Sequence, residues 1–320
     1  MPQIHENILI PEHLSGERLD VAVAELLPEF SRSRLQRWIQ EGHILLDGKQ
    51  VKAKSKVVVD QELVVDVEIE AVDDTLVAED IPLDILYEDA SIIVLNKPAD
   101  LVVHPAAGHP NGTLQNALLF HDAALAEVPR AGIIHRLDKD TTGIMVVART
   151  LQAHNHLVDR LQRRDIKREY QALLQGVLTG GGKVDAALGR HPHDRKRMTI
   201  REDGKPAVTH YRLIERFRNH THVLLELESG RTHQIRVHMQ SIRHPVVGDP
   251  VYGGRSRKPA GASEGFIELL EQFKRQALHA YRLTLEHPET HEEMSWEAPL
   301  PQDMRALIEA MQQDASEHDA

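Results

Sequence analysis

The chain has 320 residues, of which 41% are hydrophobic, so it can form one large domain or two ordinary ones with a sizeable core. It contains no cysteine, which excludes disulfide bonds, thiolate nucleophiles and cysteine-ligated metal sites. Because no segment is long and apolar enough to span a bilayer and the N-terminus has no secretory pattern, we expect a cytoplasmic protein that does not bind membranes.

Charge is unevenly distributed along the chain. The formal net charge of -11 argues at first against nucleic acid binding, which depends on lysine and arginine. However, residues 60–90 contain many acidic residues and neither lysine nor arginine. The basic residues form four clusters elsewhere, within residues 32–37, 49–56, 160–168 and 190–201. One such cluster would be interpreted as a solvated helix face, whereas four clusters apart from an acidic segment favour a polyanion-binding surface.

Residues 17–70 are predicted to form a small α+β domain. Apolar residues at helical spacing predict a helix that ends at Pro28, and Ser31 is a good N-cap for a second helix. A hairpin over residues 44–51 and short strands at 57–59 and 63–65 follow. Three arginines of the second helix are candidates for RNA contact: Arg32, Arg34 and Arg37. The pattern resembles the small RNA-binding domain named after ribosomal small-subunit protein four.

A larger domain is predicted over residues 83–310, after an acidic linker at 71–82 and before a frayed acidic tail at 311–320. Short apolar runs within it predict strands at 92–95, 170–174, 207–213 and 222–227. Helical spacing predicts helices at 113–118, 151–164 and 303–311.

The first of two unusual polar segments covers residues 133–143 and precedes an apolar run at 144–148. This order predicts a loop at the edge of a buried strand, which would hold the charges of Asp138 and Asp140 rigidly. An aspartate in such a loop can stabilise a turn, bind a metal or act in catalysis. Metal binding is the weakest of these interpretations, because the close histidine pairs of the chain match no zinc spacing.

The second polar segment covers residues 228–238. Two arginines and two histidines lie close together in it: Arg231, His233, Arg236 and His238. These groups would repel one another unless anions lie nearby. The interleaved Ile235 and Val237 indicate that the segment is partly buried, and a buried arginine needs a counter-charge. Asp138 and Asp140 are the candidates for that counter-charge.

Both segments are similar to motifs of the RluA-type pseudouridine synthases. The three motif-like stretches are residues 135–138 with 142–143, 167–170 and 230–236, and further family landmarks are matched at 96–98, 104–105, 248–250 and 278–280. The resemblance covers about residues 83–300 and departs at Asp100, where the family usually has glycine. It implies an α+β fold in which the catalytic domain has a mixed, mainly antiparallel β-sheet.

The resemblance is strongest to members that act on large-subunit (23S) ribosomal RNA. It implies an isomerase that needs no cofactor and that acts on uridines of the helix 69 stem-loop, in naked RNA or in an assembling subunit. The enzyme would flip the uridine out of its stack and reattach the base through carbon five. Asp138 would be the essential carboxylate, acting either as a nucleophile or as a base toward the ribose. Arg136 would fill the vacated space, Tyr170 would stack on the base and assist proton transfer, and Arg236 would pair with Asp138. Asp140 is expected to stabilise the turn.

Outside this centre, we expect RNA contacts from several basic residues: His135, Arg231, His233, Arg32, Arg34, Arg37, Arg163 and Arg164. We expect no bound metal, and we expect a monomer, because nothing in the sequence demands a second subunit. Two other functions are considered, a non-catalytic RNA-binding ribosome assembly factor and a metal-dependent hydrolase. The combination of Asp138, Tyr170 and Arg236 argues against the first, and sensitivity to a chelator would test the second.

Overall fold

The computed structural model describes residues 3–27, 30, 32–68, 77–106, 109–194 and 196–318. The chain forms two compact units, Met1–Thr75 and Leu76–Ala320, and the division falls inside the expected linker. Residues 71–76, which are half of that linker, lie outside the described residues, as do Pro28 and the predicted N-cap Ser31. The side chains of Arg32 and Arg34 are also outside the described part.

The N-terminal unit packs two helices against a three-stranded antiparallel sheet of order β1-β3-β2. Its elements are β1 (Gln3–Leu9), a 3₁₀ turn (Glu12–Leu14), α1 (Leu19–Leu26), α2 (Arg32–Glu41), β2 (Ile44–Leu46) and β3 (Glu62–Glu68). Apolar side chains from both helices and the sheet form one core, which includes Leu19, Leu35 and Val65. The predicted α+β character is therefore observed.

Three details of this unit differ from the sequence prediction. The predicted turn at Asp47 and Gly48 forms and is closed by one antiparallel bridge between Leu46 and Lys49, but the hairpin extends no further, because β2 pairs with β3. The segment 57–59 is not a strand, since Val58 and Val59 are exposed and the chain turns at Asp60, which has a φ of 65°. Strand β1 was not predicted, and it forms by long-range pairing with β3.

The second unit is built on a nine-stranded sheet with the order β4-β5-β6-β13-β7-β12-β11-β8 and β14 paired to β13. Its strands are β4 (Ile85–Glu88), β5 (Ile92–Lys97), β6 (Thr142–Ala148), β7 (Lys167–Gln175), β8 (Gly182–Asp185), β9 (Leu188–Arg190), β10 (Met198–Ile200), β11 (Val208–Arg216), β12 (His220–Leu227), β13 (Leu278–Glu286) and β14 (Glu293–Glu297). Its helices are α3 (Leu114–His121), α4 (Leu151–Arg163), α5 (Gln234–Ser241), α6 (Glu264–Gln272) and α7 (Gln302–His318), with 3₁₀ turns at Ala123–Glu127 and Pro129–Gly132. Strands β9 and β10 form a separate hairpin.

The sheet is mixed and mainly antiparallel, which confirms the predicted fold class. Its parallel pair joins β6 to β13, where Thr142 and Gly143 lie opposite His279 and Ala280. A Cβ atom at Gly143 would lie 2.2 Å from the carbonyl oxygen of Ala280, so only glycine allows this approach. The loop before β6 is thereby held beside the centre of the sheet.

The C-terminal helix is longer than predicted. The sequence prediction ended it at Met311 and assigned a frayed tail to 311–320, whereas α7 continues to His318. Met311 and Asp314 are buried, and the guanidinium of Arg218 donates a hydrogen bond of 2.9 Å to Asp314. These tertiary contacts extend the helix beyond the range that its apolar spacing indicates. In the described part of the chain, no helix has the length and apolarity needed to cross a membrane.

Candidate active site

The loop that carries Asp138 is anchored by a buried lysine. The ammonium of Lys97, at the end of β5, donates hydrogen bonds to the carbonyl oxygens of Pro98, Leu101 and Lys139 at 2.7, 2.9 and 2.8 Å. Burial lowers the pKa of Lys97 to about 8, although the carboxylates of Asp140 and Asp138 oppose this effect. Because all three ammonium hydrogens are used, Lys97 holds the chain directly after Asp138 in place.

The centre of the site is Arg236, which binds two aspartates. Its Nη1 donates to Asp138 Oδ2 at 2.8 Å, while its Nε and Nη2 donate to the two oxygens of Asp249 at 2.6 and 2.9 Å. Burial disfavours the charged guanidinium, but the hydrogen bonds and charges of Asp249 and Asp138 outweigh it and raise the pKa of Arg236. The counter-charge expected from the sequence is thus Asp138, and Asp249 is a second partner that sequence reasoning missed.

Asp249 lies in the turn after α5 and fixes the orientation of Arg236. Its carboxylate also accepts hydrogen bonds from the N–H groups of Val251 and Tyr252, at 2.8 and 2.9 Å. Burial alone would raise the pKa of Asp249, but the hydrogen bonds and charge of Arg236, with these two N–H donors, hold it below its ordinary value. The signal in the sequence is an aspartate between glycine and proline, which is also typical of an ordinary turn.

Two hydrogen bonds link the β9–β10 hairpin to His233, whose ring lies beside Asp138. The N–H of Met198, in β10, donates to the hydroxyl of Tyr252 at 2.8 Å, and this hydroxyl lies 2.8 Å from Nδ1 of His233. The other ring nitrogen of His233, Nε2, is 3.8 Å from Asp138 Oδ1. Burial lowers the pKa of His233, so its neutral form is favoured. If the Tyr252 hydroxyl donates to Nδ1, the Nε2–H group faces the carboxylate.

A cavity of about 60 Å³ opens at Asp138. Tyr170, from β7, is 6% exposed and forms part of its wall. Burial, together with the charge of Asp138, raises the pKa of Tyr170, while Arg168 opposes the shift. Arg136 also lines the cavity and is exposed, and none of the ion pairs in the described part of the chain involves it. The apolar side of the cavity is formed by Leu137, Leu227, Ile235 and Leu278.

The other predicted RNA-contact residues of this unit have different surroundings. Nε2 of His135 accepts a hydrogen bond of 3.1 Å from the N–H of Val146, and burial lowers the pKa of His135 to about 3. The acceptor nitrogen of His135 is therefore used by strand β6, while the half-buried residue also lines a cleft with Arg136, and its contact with RNA stays a prediction. Arg231 lines the cavity, and its contact with RNA stays a prediction.

Arg163 and Arg164 lie at the end of α4 and do not line the 60 Å³ cavity, although Arg164 lines a neighbouring cleft of about 430 Å³. Arg163 forms an ion pair of 3.0 Å with Asp159, and Arg164 forms one of 2.8 Å with Glu228. Asp140 lies in a turn that the N–H of Thr141 closes by donating to the carbonyl oxygen of Asp138 at 3.0 Å, and the carbonyl oxygen of Asp140 accepts a hydrogen bond from Arg275 at 3.3 Å.

Among the described residues, one group of side chains has donor atoms close enough to hold a metal ion. It consists of His156, Glu286 and His291, whose donor atoms lie within 4.8 Å of one another. Glu286 is already bound by the guanidinium of Arg160. None of these residues lines the cavity at Asp138, so a metal there would not reach the carboxylate.

Comparison with known proteins identifies both units. Residues 91–241 match the family model of the RNA pseudouridylate synthases, and residues 17–63 match that of the S4 domain. The ribosomal large subunit pseudouridine synthase D of Escherichia coli strain K12 is 56% identical over 310 residues, which cover 97% of this chain and 95% of that protein. The protein of the same name from Pseudomonas aeruginosa is 54% identical over 305 residues, which cover 95% of each chain.

The fold is also found in a solved human structure. The human RNA pseudouridylate synthase domain containing 4 aligns with a TM-score of 0.55 at 24% identity, over 72% of this chain and 93% of that one. This likeness concerns the fold alone, whereas the bacterial relatives match nearly the whole sequence. The chain therefore belongs to the RluA-type family of pseudouridine synthases, and it is an isomerase with an S4 domain before its catalytic domain.

Proposed function

We propose that this protein converts uridines of large-subunit ribosomal RNA into pseudouridine, with its targets in the helix 69 stem-loop. The observation that carries the proposal is the carboxylate of Asp138, which lies 2.8 Å from Arg236 at a cavity walled by the ring of Tyr170. The proposed substrate follows from the bacterial relatives, whose names describe them as pseudouridine synthases of the ribosomal large subunit. All of these residues come from one chain, so the site does not require a second subunit.

The reaction exchanges one bond for another within the nucleotide. The bond between N1 of uracil and C1′ of ribose breaks, a bond between C5 and C1′ forms, and a proton leaves C5 while N1 gains one. Asp138 can start this sequence by attacking the nucleotide or by accepting a proton from the ribose. Both routes use a free oxygen of the Asp138 carboxylate, and Arg236 orients that oxygen by binding the other one at 2.8 Å.

The base must leave its stack to reach Asp138. Arg136 is exposed at the cavity and has a long side chain that can occupy the space vacated by the base. Because burial raises the pKa of Tyr170, its ring stays an uncharged phenol that can stack on uracil and donate a proton. The phenol and the carboxylate would therefore hold the base and the sugar separately.

For the N-terminal unit, we propose that the domain at residues 17–70 binds the same RNA through Arg32, Arg34 and Arg37. These arginines belong to α2, and the unit matches the S4 domain model over residues 17–63. Replacing all three by glutamine should weaken RNA binding and reduce the dependence of the dissociation constant on salt, while turnover at saturating RNA stays nearly unchanged. An unaltered salt dependence would contradict the proposed contact.

The proposed substrate is tested by mapping pseudouridine in ribosomal RNA from cells that lack this protein. We expect uridine at the helix 69 positions in these cells, pseudouridine after the wild-type chain is restored, and uridine when the Asp138→Asn chain is restored. A full set of pseudouridines in the deleted strain would contradict the proposal. The assembly-factor alternative would instead be favoured if the Asp138→Asn chain restored subunit assembly and neither the wild-type chain nor the Asp138→Asn chain restored pseudouridine.

A further inference from the structure

A second cleft adjoins the catalytic cavity and contains a buried arginine. This cleft has a volume of about 430 Å³, and Arg136, Tyr170 and Arg231 line both it and the cavity at Asp138. Arg168, in strand β7, also lines the cleft, although the residue is only 6% exposed. The cleft therefore begins where the target nucleotide is proposed to sit, and it continues along a wall that carries a further positive charge.

Arg168 has no counter-charge in the described part of the chain. Its Nε is buried and has no hydrogen-bond partner, and no ion pair of the described residues includes its guanidinium. The nearest acidic residue in the sequence, Glu169, binds Arg282 at 3.1 Å. The acidic residue of the cleft, Glu228, binds Arg164 and His210, each at 2.8 Å. A buried guanidinium without an anion is unfavourable, so this arrangement fits a site whose anion comes from a ligand.

We propose that Arg168 binds a backbone phosphate of the RNA, on a nucleotide next to the flipped uridine. This inference rests on the proposed function and deepens it, because the cleft extends from the cavity that would receive the uridine. A guanidinium has a planar fork of donors that matches two phosphate oxygens. Gly230 leaves room for this fork, since a Cβ atom at Gly230 would lie 2.7 Å from Nη1 of Arg168. The backbone bends that flipping imposes would bring such a phosphate toward the protein.

The test measures binding of the full-length chain to a stem-loop RNA at several salt concentrations. Arg168→Gln should raise the dissociation constant by about 10- to 100-fold, as expected for the loss of a charge-assisted contact. The slope of log affinity against log salt should become shallower by about 0.7 to 0.9. Arg168→Lys should keep the slope and recover part of the affinity. The control is Arg160→Gln, because Arg160 is paired with Asp165 and Glu286 and should change neither quantity. An unchanged affinity and slope in Arg168→Gln would overturn the inference.

Folding and RNA chemistry supply independent readouts. Without RNA, Arg168→Gln should unfold at the same temperature as the wild-type chain or higher, because it removes an unpaired buried charge. A lower unfolding temperature with unchanged RNA affinity would identify a structural residue and overturn the inference. Gly230→Ala keeps the charge but displaces the guanidinium, so it should also weaken binding.

A third arm identifies the phosphate. Methylphosphonate at one linkage beside the target uridine should weaken binding to the wild-type chain but not to Arg168→Gln. Equal sensitivity of both chains at every linkage would overturn the inference. It would also be overturned if inorganic phosphate stabilised the wild-type chain but not Arg168→Gln, while the two chains bound RNA with the same affinity. Binding is measured separately from turnover, so a wild-type chain that binds but forms no pseudouridine would reject the proposed function alone.

Discussion

Asp138 and Asp249 share the guanidinium of Arg236, but the two aspartates differ in what else binds them. Asp249 accepts two hydrogen bonds from Arg236 and two from backbone N–H groups, and its side chain is fully buried. Asp138 accepts one hydrogen bond from Arg236, and its side chain is 18% exposed at the cavity. One carboxylate has its acceptor sites filled by the protein, whereas the other keeps sites free for a substrate.

This difference separates a positioning residue from a reacting one. The pair between Arg236 and Asp249 is bidentate and buried, so it fixes the guanidinium before any substrate arrives. The third donor of Arg236 then holds Asp138 at 2.8 Å without covering its second oxygen. An arginine is suited to this task because a lysine has no planar fork that can bind both carboxylates in a fixed geometry.

The largest effect is expected for Asp138→Asn. The amide has the same shape but cannot act as a nucleophile or a base, so activity should fall by about 10⁴-fold or more. The unfolding free energy should change by no more than about 1 kcal/mol, because the side chain is partly exposed and Arg236 keeps Asp249. Tritium release from RNA labelled at C5 of uridine measures the activity. Turnover retained by Asp138→Asn would show that the reaction does not need the carboxylate of Asp138.

The second largest effect is expected for Asp249→Asn, and here stability should change more than it does for Asp138. Breaking a buried ion pair on one side costs about 3–5 kcal/mol of unfolding free energy. Activity should fall by roughly 10- to 100-fold, since Arg236 loses its orientation but Asp138 keeps its carboxylate. Urea unfolding and tritium release measure the two effects. A stable variant with the activity loss of Asp138→Asn would mean that Asp249 takes part in the chemistry.

The stability difference between wild type and Asp249→Asn should also depend on pH. The pKa of Asp249 is below its ordinary value because hydrogen bonds to the carboxylate outweigh its burial. Its contribution is therefore fully present above the unfolded pKa of about 3.9 and is lost as the pH falls through the lower folded pKa. The stability difference between the two chains should begin to shrink below about pH 4 and should disappear only below the lower folded pKa of Asp249. A constant difference down to acid pH would contradict the assignment.

Much of the catalytic unit could be predicted because its signals are local. The strand β7 and the helix α4 follow from residue periodicity, and the pairing of Arg236 follows from the need of a buried arginine for a counter-charge. What the sequence could not reveal depends on long-range packing. The N–H of Met198 binds the hydroxyl of Tyr252, which lies far along the chain. That Arg168 has no partner can be seen only when the structure shows which groups bind the nearby carboxylates. The same limit applies to the last turns of α7, which form on contacts such as that of Asp314 with Arg218.

A smaller effect is expected for Tyr252→Phe, which tests how the environment of Asp138 is held. The change leaves the N–H of Met198 and the ring of His233 without their shared hydroxyl. We expect a loss of about 1–3 kcal/mol in stability and a decrease of several-fold in the turnover number, with little change in RNA affinity. The control is Tyr281→Phe, whose hydroxyl bonds the exposed Glu297. Equal effects in both variants would show that the link from β10 to Asp138 has no catalytic role.

The smallest effect is expected for Asp140→Asn, the third carboxylate near the loop. At pH 7 its activity should stay within about twofold of wild type, because the backbone oxygen of Asp140 that binds Arg275 and the hydrogen bond that closes the turn are both unchanged by the substitution. The carboxylate does oppose the lowering of the Lys97 pKa, which burial brings to about 8. Its removal should lower that pKa further, so the ammonium that anchors the loop is lost at a lower pH, and activity should decline earlier on the alkaline side. A pH profile of tritium release checks both statements. A loss of activity at pH 7 as large as that of Asp138→Asn would identify Asp140 as a second reacting carboxylate. Burial and hydrogen bonding would then not be sufficient to tell a reacting aspartate from a positioning one.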